Sequence, residues 1–123
     1  MRGLLIPATT PAYRTRSERF DDLVLSIVQR IEARWEKKLR HTEFAVEDVP
    51  ASDPAPWEGG GVPLARLFPA QVGHPARIVL YRKPIENRCE DCDEVLEVVR
   101  AVLVEQVAQL LGEDPDAIDP GYN

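Results

Sequence analysis

"VLVEQVAQLLGEDP", residues 102–115, decides how this chain is read. Its apolar residues recur at helical spacing, Gly112 supplies a stop and Pro115 follows three positions later, so the stretch closes a long helix. Inside this apolar run stand Glu105, Gln106 and Gln109, at spacings i, i+1 and i+4. That is the spacing of the zinc-binding H-E-x-x-H, with no histidine in it. At about 100° per residue the three share one sector of roughly 100° with Val95, Val98 and Val102, whereas Glu97 and Arg100 mark the solvent side. Two readings stand. In one the trio lies on a rim where long side chains reach water. In the other it lies on a cleft floor, where an unpaired polar group costs about 1–3 kcal/mol and Glu105 and Gln109, one turn apart, bond each other or neighbouring backbone.

Upstream of this helix the chain changes period. "CEDCDE", 89–94, is an acidic opening to the helix, and "ARIVLYRKP", 76–84, is the clearest strand, with Ile78, Val79, Leu80 and Tyr81 before Pro84. "VPLARLF", 62–68, reads as a short strand or a single turn, and "TEFAVEDVP", 42–50, as a strand ended by Pro50. Between those two, "ASDPAPWEGGG", 51–61, has the composition of a loop. "SERFDDLVLSIVQRIEARWEKKLR", 17–40, sets Phe20, Leu23, Val24, Ile27, Val28, Ile31 and Trp35 on one stripe, a core-facing helix with Ser17 as its expected cap. Residues 1–16 form an arm with Pro7, Pro11, Arg2, Arg14 and Arg16, and no regular structure is expected there. After Gly112 only a short tail, "EDPDAIDPGYN", remains. The order helix, strands, helix gives an α+β domain over residues 17–123, its helices packed on a small sheet.

A chain of 123 residues, 44% hydrophobic and 29% charged, is enough for one domain with one core. No apolar run approaches the ~18 residues of a membrane span. The three apolar residues before Pro7 fall short of the roughly 7–15 that a signal peptide needs. With only two cysteines, the expectation is a cytoplasmic protein with free thiols and no membrane contact. The net charge of −6 is uneven, +4 over residues 1–42 and −10 over 43–123. An acidic body argues against nucleic acid, whose phosphates need a basic surface.

Gly59, Gly60 and Gly61 lack the G-K-[ST] ending of a phosphate loop and read as a loop tip. Cys89 and Cys92 form a lone C-x-x-C, short of the four ligands of structural zinc, since the only histidines, His41 and His74, are single and far apart. Glu90, Asp91, Asp93 and Glu94 surround these thiols with negative charge, which raises a thiol pKa and works against redox reactivity. Structural, metal-binding and redox roles for the pair stay open.

The stretches "ERFDDLV", "FAVEDVP", "GGGVPLARL", "RIVLYRKPIE" and "VEQVAQLLGEDPDAID" come in the order seen in the minimal zincin, a small bacterial family of zincin-like metallopeptidases. The chain resembles an actinobacterial branch of it, over roughly residues 17–121. The resemblance implies a minimal zincin-like fold whose active-site helix carries H-E-x-x-H-x-x-G-x-x-D. With Gly112 on the family glycine, the first histidine falls on Glu105, the general-base glutamate on Gln106 and the second histidine on Gln109. The aspartate falls on Pro115, between Asp114 and Asp116. The trio then looks like the relic of a zinc site.

Zinc takes imidazole, thiolate or carboxylate donors, and catalysis needs three of them with one open position. Glu105 qualifies, the amide of Gln109 is a poor donor, proline has none, and Gln106 cannot take a proton from water. The expectation is a family member that has lost its zinc ligands, needs no cofactor and serves as a non-catalytic binding or regulatory protein with a protein partner. The former cleft is the first candidate surface and the basic arm the second. The alternative is a hydrolase with a displaced metal site built from Glu105 with Asp114, Asp116, Cys89 or Cys92. A non-zinc enzyme using Glu105 as acid or base is a further possibility.

Overall fold

The computed structural model describes residues 16–50 and 63–120. Its elements are α1 (Arg16–Leu39), β1 (Glu43–Glu47), β2 (Ala65–Phe68), β3 (Arg77–Tyr81), α2 (Arg82–Arg88), α3 (Cys92–Leu111) and α4 (Pro115–Ile118). The arm up to residue 15 and the loop at 51–61 lie outside the described residues. The α+β class and the N-terminal helix, small mixed sheet and long C-terminal helix are as the sequence implies.

The apolar stripe of α1 is buried through Phe20, Val24, Ile27, Val28 and Ile31, with Leu23 and Trp35 half-buried against the same core. Ser17 is not the cap: the helix already includes Arg16. Near its end the helix is interrupted at Trp35, which has φ −122° and ψ 31°.

The sheet has the order β1-β3-β2, with β1 parallel and β2 antiparallel to the central β3. The ambiguous 62–68 stretch is thus a strand. Alternation along β3 sends Ile78 and Leu80 into the core shared with α1 and α3, while Val79 and Tyr81 are buried outside that cluster. Across the core, Val99, Leu103 and Val107 of α3 are fully buried, one per turn.

Two short helices escape the sequence reading. α2 begins directly after β3, with Pro84 in its first turn, where a missing N–H costs nothing. Ile85 is fully buried, and Arg82 joins Glu86 and Asp48, both at 2.9 Å. α4 occupies the expected tail and places Ile118 in the core.

α3 has fixed ends. Asp91 caps it by accepting from Glu94 N–H at 2.9 Å, and the Glu94 carboxylate accepts from Glu90 N–H at 2.6 Å, a reciprocal arrangement. At the other end Gly112 takes φ 69°, and a Cβ there would meet nothing within 4 Å. Gly112→Ala should therefore cost only the backbone strain, about 1 kcal/mol, as thermal melts followed by circular dichroism will read it. Among the described residues, no helix is long and apolar enough to cross a membrane.

Candidate functional site

The burial ridge of α3, Val99–Leu103–Val107, faces the core and turns Glu105 about 160° away from it, so Glu105 is exposed. Gln109 is exposed and Gln106 half-buried; Val95 and Val98 are half-buried and Val102 is buried. The trio thus lies on the rim of the packed face, where side chains reach water. The hydrogen bond expected between Glu105 and Gln109 is not formed: among the described residues neither side chain has a hydrogen-bonding partner. Packing against α1 and the sheet covers only one side of the sector, and its polar half is left open.

These residues do not fit zinc. Glu105 offers one carboxylate, Gln106 and Gln109 offer amides, and Pro115 starts α4 with no donor. Asp114 and Asp116 are exposed at that turn. Cys89 and Cys92 cannot join Glu105, because thirteen positions of helix separate Cys92 from it, about 20 Å at 1.5 Å per residue. Among the described residues no three His, Cys, Asp or Glu side chains form a group able to hold a metal ion. His41 and His74 are exposed on separate turns.

Beside this face lies an ion cluster that the sequence reading missed. Asp119, 2% exposed, receives Arg30 Nη2 of α1 on Oδ1 at 3.1 Å, and Arg100 Nε of α3 lies 3.7 Å from Oδ2. Arg100, placed on the solvent side by the helical wheel, is half-buried because it reaches this carboxylate. Next to it the Trp35 indole N–H donates to the Ile118 carbonyl at 3.0 Å. α4 is thereby fastened to α1 and α3, and the turn carrying Gly112, Asp114 and Pro115 is held from its far end. The available hint was an acidic residue directly after an apolar one, Ile118, in a tail too short to show a period.

The two thiols line a cavity of about 390 Å³ with Phe20, Leu23 and Val95, and with Arg16 and Arg19 from the start of α1. Both are free; Cys89 is half-buried and Cys92 exposed. Burial, more than the neighbouring Glu94, pushes the Cys89 thiol above its usual range, and Arg88 only partly opposes this. A raised pKa means less thiolate at neutral pH. Iodoacetamide should therefore label Cys92 before Cys89 at pH 7.5, and labelling of Cys89 should still be rising above pH 9, as peptide mass spectrometry will show. Equal rates would contradict the burial argument.

A second cavity, about 260 Å³, runs between α1 and β1, lined by Asp21, Val24, Leu25, Val28, Phe44, Ala45 and Val46. Burial raises the Asp21 carboxyl above its ordinary range, against the opposing charge of Arg82.

No curated protein matches the chain. The profile of a family described as zincin-like metallopeptidase matches residues 39–122, from the end of α1 through the sheet, the Glu105–Gln109 helix and α4. With most of its length inside that match, the chain belongs to the zincin-like metallopeptidase family.

Proposed function

We propose that this chain is a zincin-like domain that has lost its zinc ligands and acts by binding a protein partner, not by cleaving peptides. One observation carries the reading: at the positions where the family resemblance puts two histidines, a glutamate and an aspartate, this chain has a single carboxylate, Glu105, which is exposed and belongs to no group of three metal-ligating side chains among the described residues. A lone carboxylate in water does not hold zinc, which needs three protein donors around an open position. The partner surface under this reading is the open side of α3, where Glu105, Gln106 and Gln109 border the half-buried Val98. Polar groups around a small apolar strip resemble the rim and centre of a modest interface. The reading places the protein in the cytoplasm, where reducing conditions keep Cys89 and Cys92 as thiols.

Purified protein is expected to contain no stoichiometric zinc and to leave casein and generic peptide substrates intact. About one zinc per chain by elemental analysis, lost in Glu105→Ala, would overturn the reading. For the surface, Gln109→Arg should keep the melting temperature while removing a partner that the unaltered chain recovers from its parent cell. Equal recovery by both would move the interface elsewhere.

A further inference from the structure

The cavity beside Asp21 lies along β1, which is an edge strand of the sheet among the described residues. Glu43 donates its N–H to the Ala76 carbonyl at 2.9 Å, and β1 continues parallel to β3 up to the Glu47–Tyr81 pair. In a parallel ladder alternate residues bond one neighbour, so Glu43, Ala45 and Glu47 serve β3, while Phe44 and Val46 turn N–H and C=O outward. Among the described residues no strand pairs with that side. The groove next to it is walled by Val24, Leu25 and Val28 of α1, and Leu25 is 53% exposed. Three carboxylates border the edge: Asp21 in the groove, and Glu43 and Glu47 on the strand. Of the nearby cations, Arg77 reaches Glu47 only at 4.0 Å, Arg82 is taken by Asp48 and Glu86, and Arg66 sits on the same sheet face but two strands away, on β2.

We propose that the outer edge of β1 takes up an extended segment of a partner protein in which basic and apolar side chains alternate, added to the sheet as a further strand. The main chain of such a segment pairs with Phe44 and Val46. Every second side chain enters the apolar groove beside Leu25, and the intervening basic ones lie next to Glu43 and Glu47, since a strand alternates with period two. A second copy of this chain fits worse. Two β1 strands related by a twofold axis pair antiparallel, and centring on Ala45 sets Glu43 against Glu47 of the other copy, like charge on like charge. β2, the opposite edge, packs beside α3, so the β1 surface is separate from the Glu105 face and does not depend on how that face is read.

The test uses a dye-labelled heptapeptide of alternating lysine and valine, with a glutamate–valine heptapeptide as control, and fluorescence anisotropy. The lysine peptide should bind at least tenfold more tightly than the control. Leu25→Lys should weaken it at least tenfold, and Asp21→Asn about threefold; both positions are exposed, so circular dichroism should match the unaltered chain. At saturation, amide hydrogens of Phe44 and Val46 should exchange at least tenfold more slowly, while that of Ala45, already bonded to β3, stays unchanged. Affinity unaffected by both substitutions, or no added protection at Phe44 and Val46, overturns the proposal. A concentration-dependent dimer that Leu25→Lys dissolves would assign the edge to a second copy and overturn it as well.

Discussion

Arg30→Ala is expected to destabilise the fold more than Asp119→Asn does, although Arg30 is the exposed partner of the pair. The Arg30 side chain is 48% exposed and that of Asp119 3%. Removing Asp119's charge leaves two arginines that can turn into water, at a cost of about 1 kcal/mol. Removing Arg30 strands a buried carboxylate whose Oδ2 already has no hydrogen-bond partner among the described residues. Arg100, 3.7 Å away, then faces it alone. Orphaning a buried charge costs more than losing an exposed one, about 2–3 kcal/mol here after allowing for the solvent that Arg30 already sees. For a domain of this size that lowers Tm by roughly 10 °C. The double variant should cost less than the two single costs added together, by about 1 kcal/mol, because no buried carboxylate is left to strand. Additive losses would show that Asp119 reaches water without Arg30 and that the cluster does not lock α4.

The difficulty of seeing this cluster in the sequence shows what a linear pattern can and cannot carry. The α1 stripe from Phe20 to Ile31 and the β3 run from Ile78 to Tyr81 are legible because burial imposes a period on neighbouring residues. The Arg30–Asp119 bond joins residues 89 positions apart, and no local period encodes such a pair. α2 is hidden for another reason: seven residues make about two turns, and Pro84 within them reads as a breaker although it stands where a helix tolerates it. For Glu105, Gln106 and Gln109 the helical wheel gives the right sector but not where the covering layer ends. Only Val102 in that sector is buried, and Val95 and Val98 are half-covered. The candidate site was thus visible as a set of residues, and its exposure was not.

Rebuilding the pattern implied by the family resemblance should restore zinc binding. The variant carries Glu105→His, Gln106→Glu, Gln109→His and Pro115→Asp. Glu105 and Gln109 are exposed one turn apart on α3, so two imidazoles there meet no packed neighbour and can turn toward one ion. The left-handed Gly112 reverses the chain, and α4 starts at position 115, held from beyond by Asp119 on Arg30. An aspartate at that helix start is favoured by the dipole, which offsets part of the roughly 0.4–1 kcal/mol lost with the stiffness of proline. Should the side chain at 115 point away, Asp114 or Asp116 stands beside it as third ligand. Without metal the variant is expected to melt within a few degrees of the unaltered chain. Zinc at 100 times its dissociation constant should then add about 2.7 kcal/mol, and raise Tm by roughly 10 °C, because only the folded chain holds the ligands together. Peptidase activity does not have to return with the metal, since the groups that orient the histidines are not rebuilt. Asp119→Asn in the rebuilt variant should weaken zinc binding if the lock on α4 positions the third ligand. A variant that folds but melts at the same temperature with and without zinc would show that the register on Gly112 is wrong, and the relic reading of Glu105, Gln106 and Gln109 would fall with it.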